Sequence, residues 1–188
     1  MAEVLPFQAV MPPPQKVEEV AAPPYDVVNT EEASAMAEGN PLSFLRVSRP
    51  EIELPAGTDL YSDPVYEKAA ENYRRLKQTV PLSPDDGPHY YVYALEMEGR
   101  RQTGIAATVS VDDYDNDVVK KHEKTRKAKE DDRTRHILTL RSQTGPVFLT
   151  HRDSSKLSDL VARVTESPPH FDFTAADGIR HTLWRVPE

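Results

Sequence analysis

The chain contains no cysteine among its 188 residues. Disulfide bonds, thiolate metal ligands and cysteine nucleophiles are therefore excluded. Its apolar runs are only a few residues long, and its N-terminus lacks the basic region and apolar core that a signal peptide needs. We therefore expect a cytoplasmic protein that does not associate with a membrane.

Common catalytic and metal-binding motifs are absent as well. The sequence holds no G-x-G-x-x-G, no Walker-type loop and no G-x-S-x-G, so dinucleotide, P-loop and α/β-hydrolase functions lack support. The six histidines have no zinc-site spacing, and the acidic residues 112–117 fail the EF-hand pattern. We predict no metal site. Only His122 lies among charged residues, and we expect the other histidines at the surface or in turns.

Proline, in contrast, is abundant, with 17 residues in the chain, compared with an average usage of about 5%. Each proline fixes φ and removes a backbone donor, so we expect stiff connections and short elements. The Pro23 and Pro24 pair holds the backbone extended. It would present Tyr25 and Asp26 from a stiff loop.

Hydrophobic periodicity and capping residues predict both helices and strands. Asn29 and Glu32 have capping-box spacing, and Ser62 followed by Asp63 and Pro64 is a strong helix start. The predicted helices are 30–38, 62–78, 125–142 and one that begins at Asp153 or Ser154. The predicted strands are 4–10, 42–47, 90–97, 102–111, one that ends at Val119, 147–150, 171–174 and 181–186.

This alternation of strands, hairpins and short helices predicts an α/β or α+β fold with a mixed sheet. We expect a single domain over residues 1–188, with a sub-boundary in the linker-like residues 80–88. The last predicted hairpin ends almost at Glu188, so we also expect the chain to be part of something longer.

The stretch from Lys120 to Arg135 is distinguished by its charge. It holds eight Lys/Arg and four Asp/Glu in a chain whose formal net charge is -8, so the remaining residues carry about -12. A local excess of positive charge against an acidic background attracts anions, phosphates above all. A strand ending at Val119 and a helix beginning near Thr125 would place free backbone N–H groups beside these cations. That arrangement would form a phosphate cradle.

Spacing places Arg126, Lys129 and Arg133 on one face of the predicted helix. Histidine titrates near neutral pH, and a buried glutamate can do the same, so His122 or Glu123 could act as a base.

The same stretch has a purely structural interpretation. Its cations would pair with Glu130, Asp131 and Asp132 on a solvated helix face, as exposed charge runs commonly do. The sequence leaves both interpretations open.

Three segments together resemble one prokaryotic family, the domain of unknown function 1015. They are VAAPPYDVV near the N-terminus, GNPLSFLRVSRPE at 39–51 and KKHEKTRKAKEDDR at 120–133. TGPVFLTHRD at 144–153 and DGIRHTLWRV at 177–186 agree with the family in order and spacing. Members of this family are usually longer than this chain, which implies that the chain is the N-terminal portion of the family architecture.

The family's second half carries an Ala-Asp-Gly-His-His-Arg-Tyr segment that this chain lacks. That segment is similar to the phosphate-binding motif of ParB-like and sulfiredoxin-like proteins, including free-serine kinases, and the family is often associated with serine biosynthesis genes. The resemblance implies a fold that is ParB/sulfiredoxin-like in part. It also implies binding of a phosphate or nucleotide, and phosphoryl transfer involving a small amino acid such as serine, with ATP or ADP and Mg²⁺ as cofactors.

On this analogy the site residues fall into three groups. The phosphate- or nucleotide-binding residues would be Lys121, Lys124, Thr125, Arg126, Lys129 and Arg133. The catalytic candidates are His122, Glu123 and Asp26. The residues lining the substrate would be Tyr25, Asn40, Ser43, Arg46 and Arg49.

Two other functions stay open at this point. A ParB-like nucleic-acid-associated module would use the same cations on DNA phosphates, although the acidic remainder of the chain disfavours nucleic acid. A truncated interaction module would bind no small ligand. Since the family's second half is missing, we expect that this chain alone could be inactive as a kinase or phosphotransferase.

Overall fold

The computed structural model describes residues 2–122 and 125–186. Its helices are α1 (Val17–Val20), α2 (Thr30–Ala37), α3 (Leu45–Ser48), α4 (Asp63–Thr79), α5 (Val111–Asp115), α6 (Lys127–Leu140) and α7 (Ser155–Thr165). Its strands are β1 (Val4–Leu5), β2 (Val10–Met11), β3 (Ser83–Pro84), β4 (Tyr91–Met97), β5 (Arg100–Ala106), β6 (Thr108–Val109), β7 (Phe171–Thr174) and β8 (Arg180–Arg185). The predicted mixture of helices and strands is confirmed. Within the described part of the chain, no helix is long and apolar enough to cross a membrane.

The chain divides into two compact units. We call Met1–Glu18, Ser83–Glu123 and Thr150–Glu188 the sheet unit, and Glu19–Leu82 and Lys124–Leu149 the helical unit. The change between them at Leu82 and Ser83 falls within residues 80–88. Whether residues 1–188 fold as a single domain stays a prediction.

The sheet unit is built on a four-stranded antiparallel sheet with the order β5-β4-β8-β7. One face of this sheet packs against α7, where Val164 contacts a cluster that includes Val92, Ala94 and Trp184. Alternate residues of a strand point to the same face, which explains why Val92 and Ala94 are both buried. A fully buried valine side chain such as Val92 contributes about 1.5–3 kcal/mol.

Two hairpins make the sheet antiparallel. The turn between β4 and β5 has only two residues, Glu98 and Gly99, and both have positive φ, 52° and 76°. Such a turn matches the twist of paired strands. It starts β5 at Arg100, two residues earlier than predicted. The predicted hairpin of β7 and β8 is confirmed. Every pairing of the described strands is antiparallel, which replaces the mixed sheet expected from the sequence.

The helical unit is organised around α4, which has 17 residues and confirms the helix predicted at 62–78 to within one residue at each end. Pro64 lies in its first turn, where the missing N–H has no intrahelical partner in any case. The buried face repeats at helical spacing and joins Val47 and Leu140 in the core. Its residues are Val65, Tyr66, Ala69, Asn72, Tyr73 and Leu76.

The capping box that starts α2 is confirmed. The Asn29 side chain accepts from the Glu32 backbone N–H at 2.9 Å, and the Glu32 carboxylate accepts from the Asn29 N–H at 2.8 Å. Gly39, with φ of 70°, follows the end of this helix. Local sequence chemistry was therefore sufficient to place this element.

The strand predicted at 42–47 is wrong, because this segment turns into α3. The Asn40 side chain accepts from the Leu42 N–H at 3.0 Å, and the Ser43 hydroxyl accepts from the Leu45 N–H at 3.3 Å. These local hydrogen bonds favour a turn over an extended chain.

Three other predicted strands differ from the structure. The segment 147–150 forms no strand and is exposed, with Phe148 at 75% exposure. The strand expected to end at Val119 is also wrong, because Val118 and Val119 both donate to the Asp113 carbonyl at the end of α5. The strand 4–10 is reduced to β1 and β2, which flank Pro6, a residue that cannot donate to a ladder, and to one antiparallel bridge between Phe7 and His89.

Candidate functional site

No side chain of a described residue caps the first turn of α6. Arg126 occupies the N-cap position with an extended backbone, φ −67° and ψ 131°. A guanidinium can only donate hydrogen bonds, so the Arg126 side chain cannot accept from the free N–H groups that follow it. Those groups and the positive end of the helix dipole therefore favour an anion at this position.

Two exposed cations accompany this helix end. Neither the Arg126 nor the Lys129 side chain forms an ion pair or hydrogen bond with any residue in the described part of the chain, and the Lys129 ammonium lies 5.9 Å from the centre of the Tyr61 ring. Lys127 differs, because Asp131 neutralises it at 2.7 Å. We call Arg126, Lys129 and Arg133 the basic face of α6.

Arg133 connects this face to the loop that follows the Pro23 and Pro24 pair. Its guanidinium carbon lies 3.9 Å from the centre of the Tyr25 ring, the distance of a close cation–π contact. The Tyr25 carbonyl in turn accepts from Arg49 Nη1 at 3.1 Å. One residue from each of the three segments that carry the family resemblance is thus brought together within the helical unit.

Arg49 is held by acceptors on three sides. Its Nη2 donates to Thr30 Oγ1 at 3.1 Å, and its Nε lies 2.7 Å from Glu51 Oε1 at an angle too poor for a hydrogen bond. Its side chain is only 15% exposed. Arg49 therefore fixes the loop that carries Tyr25 and leaves little of its own charge for a ligand.

The buried carboxylate of Asp132 is hydrogen-bonded to the basic face of α6. Asp132 is 8% exposed and accepts from the Tyr66 hydroxyl at 2.7 Å and from Arg133 Nε and Nη2 at 3.0 Å and 2.8 Å. Burial, and then the hydrogen bond to Asp132, raises the pKa of Tyr66 to about 12. Asp132 thus orients Arg133 and ties α6 to α4, instead of lying on a solvated helix face.

His136 is the buried histidine that the sequence analysis placed at the surface or in a turn. It is 2% exposed, and its Nε2 donates to the Val47 carbonyl at 3.0 Å. Burial lowers its pKa, so the imidazole is held in its neutral form. Its contact partner is 89 positions away in the sequence, which explains why no local signal revealed it.

Asn40, Ser43 and Arg46 make hydrogen bonds that belong to the fold. Asn40 Nδ2 donates to the Glu19 carbonyl at 2.7 Å. Arg46 donates to the carbonyls of Asn40 and Ala37 at 2.9 Å and 2.7 Å and pairs with Glu53 at 2.5 Å. These side chains hold the segment after α2, and their contact with a substrate stays a prediction.

The remaining site candidates are not gathered at the basic face. Lys121 and His122 belong to the sheet unit, where Lys121 pairs with Asp117 at 3.0 Å and lies 4.4 Å from the centre of the Tyr114 ring. His122 is exposed. In the helical unit, Thr125 and Asp26 are exposed as well. The predicted strand-to-helix cradle is wrong in its first half, since the described residues directly before α6, 110–122 and 125–126, form no strand.

Two of the predicted site residues, Glu123 and Lys124, lie outside the described residues.

The comparisons with known proteins agree with the resemblance seen in the sequence. The sequence model of the family described as "Protein of unknown function (DUF1015)" matches residues 4–188, essentially the whole chain. Among the curated proteins and among the solved structures, no significant match was found.

Proposed function

This chain belongs to the DUF1015 family, and we propose that it binds a phosphate group of a nucleotide or another small phosphorylated molecule at the basic face of α6. One observation carries the proposal. Arg126 and Lys129 are exposed, and among the described residues they have no carboxylate partner and no side chain caps the helix end beside them. Unneutralised cations and free N–H groups together favour phosphate oxygens.

The surroundings of Arg133 support the same proposal. The arginine is oriented by Asp132 and stacks on Tyr25, while Nη1 makes no hydrogen bond with a described residue. An oriented guanidinium loses less freedom when it binds a phosphate than a mobile one does. We therefore propose that Arg133 contributes to phosphate binding and that the Tyr25 ring holds the plane of the Arg133 guanidinium in place.

Phosphoryl transfer to or from a small amino acid such as serine is the finer form of the proposal. It rests on the resemblance described above, with ATP or ADP and Mg²⁺ as the expected cofactors. Of the candidates for the acid or base, Asp26 belongs to the helical unit, His122 belongs to the sheet unit and Glu123 lies outside the described residues. The contacts among the described residues support phosphate binding. Phosphoryl transfer would be a further activity beyond that binding, and it rests on the family resemblance. The cytoplasmic location also stays a prediction.

The proposal is tested by calorimetric titration with ADP, ATP and inorganic phosphate. We expect Arg126→Ala combined with Lys129→Ala to weaken phosphate binding by at least about tenfold, because each charged hydrogen bond contributes on the order of 1.5 kcal/mol and about 1.4 kcal/mol is tenfold in affinity. The control is Arg152→Ala combined with Lys156→Ala, two exposed cations of the sheet unit whose loss changes the net charge equally. Equal weakening in both double variants would contradict a local site.

The alternative functions predict different results, which DNA binding at several salt concentrations and thermal unfolding would distinguish. A ParB-like module would bind duplex DNA with an affinity that falls steeply as the salt concentration rises, and it would not bind free ADP. An interaction module without a small ligand would show no rise in thermal stability with any nucleotide or phosphate, since only a ligand of the folded state raises it.

A further inference from the structure

A small cavity opens in the sheet unit, on the same sheet face that α7 covers. Its volume is about 160 Å³, which is room for about five water molecules. The cavity lies between the strands of the four-stranded sheet and the segment that follows α7. Charged and hydroxyl groups dominate its lining, above all Glu96, Arg101, Asp172, Arg180 and Thr182, with Trp184 as the aromatic wall.

Two of the four charges in the cavity neutralise each other. Arg180 donates to both oxygens of Asp172, at 2.8 Å and 2.5 Å, in the bidentate geometry that suits a guanidinium and a carboxylate. Thr182 donates to the same carboxylate at 3.4 Å. These hydrogen bonds lower the pKa of Asp172, that from Arg180 most. The Asp172 carboxylate is therefore satisfied without a ligand.

Arg101 is the unpaired cation of the cavity. Its guanidinium carbon lies 5.3 Å from the centre of the Trp184 ring. Its side chain forms no hydrogen bond or ion pair with any residue that the structure describes. A guanidinium over the face of an aromatic ring keeps its N–H donors at the rim, where a planar carboxylate can accept two of them. Arg101, which is exposed, thus offers an anion-binding group that no described residue uses.

Glu96 is the unpaired anion. It lies directly opposite Arg101 in the register of β4 and β5, and opposite Arg180 in the register of β4 and β8. Opposite charges at such positions commonly pair across strands. Here Arg101 extends along Trp184 instead, and the half-buried Glu96 carboxylate has no hydrogen-bond or ion-pair partner in the described part of the chain. The cavity therefore presents one charge of each sign without a hydrogen-bond or ion-pair partner among the described residues, while Glu96 interacts electrostatically with Arg180 and Arg101 with Asp172.

We infer that this cavity binds a small zwitterion, with its carboxylate on Arg101 and its ammonium group on Glu96. A single anion would meet the repulsion of Glu96, and a single cation would meet that of Arg101. A molecule that carries both charges satisfies both groups, and the volume restricts it to a few heavy atoms beyond the charged groups. The site lies wholly in the sheet unit and does not depend on the phosphate site proposed for α6.

The chain provides a specific reporter for this cavity, because Trp184 is its only tryptophan. The indole N–H signal in a ¹H–¹⁵N spectrum of the full chain can be followed during titration with glycine, β-alanine and γ-aminobutyrate, three zwitterions of increasing charge separation. Acetate and methylamine serve as the single-charge probes. The variants are Arg101→Gln and Glu96→Gln, with Arg100→Gln as the control, an exposed arginine one position away on the opposite sheet face.

We expect a saturable shift of the Trp184 signal with at least one zwitterion, with an affinity at least tenfold higher than for acetate or methylamine. Arg101→Gln and Glu96→Gln should each weaken that affinity by at least tenfold, and Arg100→Gln should leave it within twofold. The absence of a saturable shift with every zwitterion would overturn the inference. So would equal affinity for acetate, or unchanged affinity in Arg101→Gln or in Glu96→Gln.

Discussion

Removing the hydroxyl of Tyr66 tests the buried contact that ties α6 to α4. In Tyr66→Phe the Asp132 carboxylate loses its donor at 2.7 Å but keeps both hydrogen bonds from Arg133. A hydrogen bond to a charged group contributes about 1.5–3 kcal/mol. Since Arg133 continues to compensate the carboxylate, we expect the lower end of this range, a decrease of about 1.5 kcal/mol in the free energy of unfolding.

The pH dependence of this decrease also has a defined sign. The folded pKa of Tyr66 is raised to about 12, whereas an unfolded tyrosine titrates near 10. The contribution of the raised pKa is fully present below about pH 10 and is lost as pH rises towards the folded pKa, because the unfolded state ionises first. At about pH 10.5 the free energy of unfolding of the native protein should have fallen by about 0.8 kcal/mol because of this ionisation. Tyr66→Phe has no hydroxyl to ionise at this position, so the difference in free energy of unfolding between the two proteins should halve.

The assay is urea unfolding followed by circular dichroism at about pH 8 and about pH 10.5, with every other side chain the same in both proteins. Tyr61→Phe is the matched control, since Tyr61 belongs to the same unit and is 44% exposed. A decrease below about 0.5 kcal/mol for Tyr66→Phe would refute the assigned hydrogen bond. A decrease of the same size at both pH values would refute the raised pKa.

Three further substitutions test local features. Asn29→Ala removes the capping box of α2 and should lower the free energy of unfolding by about 1 kcal/mol in urea; an unchanged midpoint would contradict this. Glu98→Asn should raise the melting temperature, because asparagine tolerates the φ of 52° better than glutamate does; a lower melting temperature would count against it. Burial lowers the pKa of His136, so stability is lost as pH falls below about 6.5 towards the folded value. His136→Gln should flatten this acid-side loss, and an equally steep loss in both proteins would oppose the assignment.

Elements that carry their own start and stop signals were predictable from the sequence. The Asn29 cap, the Pro64 helix start and the Ser154 cap act over three or four residues, and each of them begins a helix in the structure. The hairpin of β7 and β8 likewise follows from alternating residues around Gly178, whose φ is 84°. In all of these cases the deciding contacts are local.

Short apolar runs could not be assigned in the same way. The segments 42–47 and 147–150 have strand-like composition, but a strand forms only where another strand pairs with it, and composition carries no information about partners. In the first segment the local hydrogen bonds of Asn40 and Ser43 produced a helical turn. In the second, no described strand pairs with it.

The sequence predicted the charged residues of the candidate site but not the buried contacts that orient them. The excess of cations located Arg126, Lys129 and Arg133 from spacing alone. The hydrogen bond from Tyr66 to Asp132 spans 66 positions, and a carboxylate inside a charged helix is expected to face solvent. Only the packing of α6 against α4 shows that Asp132 is buried and orients Arg133.

The dissociation constant of ADP, measured by calorimetry for the native chain and for Arg126→Ala combined with Lys129→Ala, tests the central claim most directly. We predict measurable binding to the native chain that weakens by at least about tenfold in the double variant, while Arg152→Ala combined with Lys156→Ala binds as the native chain does. Native affinity in the Arg126 and Lys129 variant, or no binding of ADP, ATP or inorganic phosphate to the native chain, would contradict the phosphate site on α6.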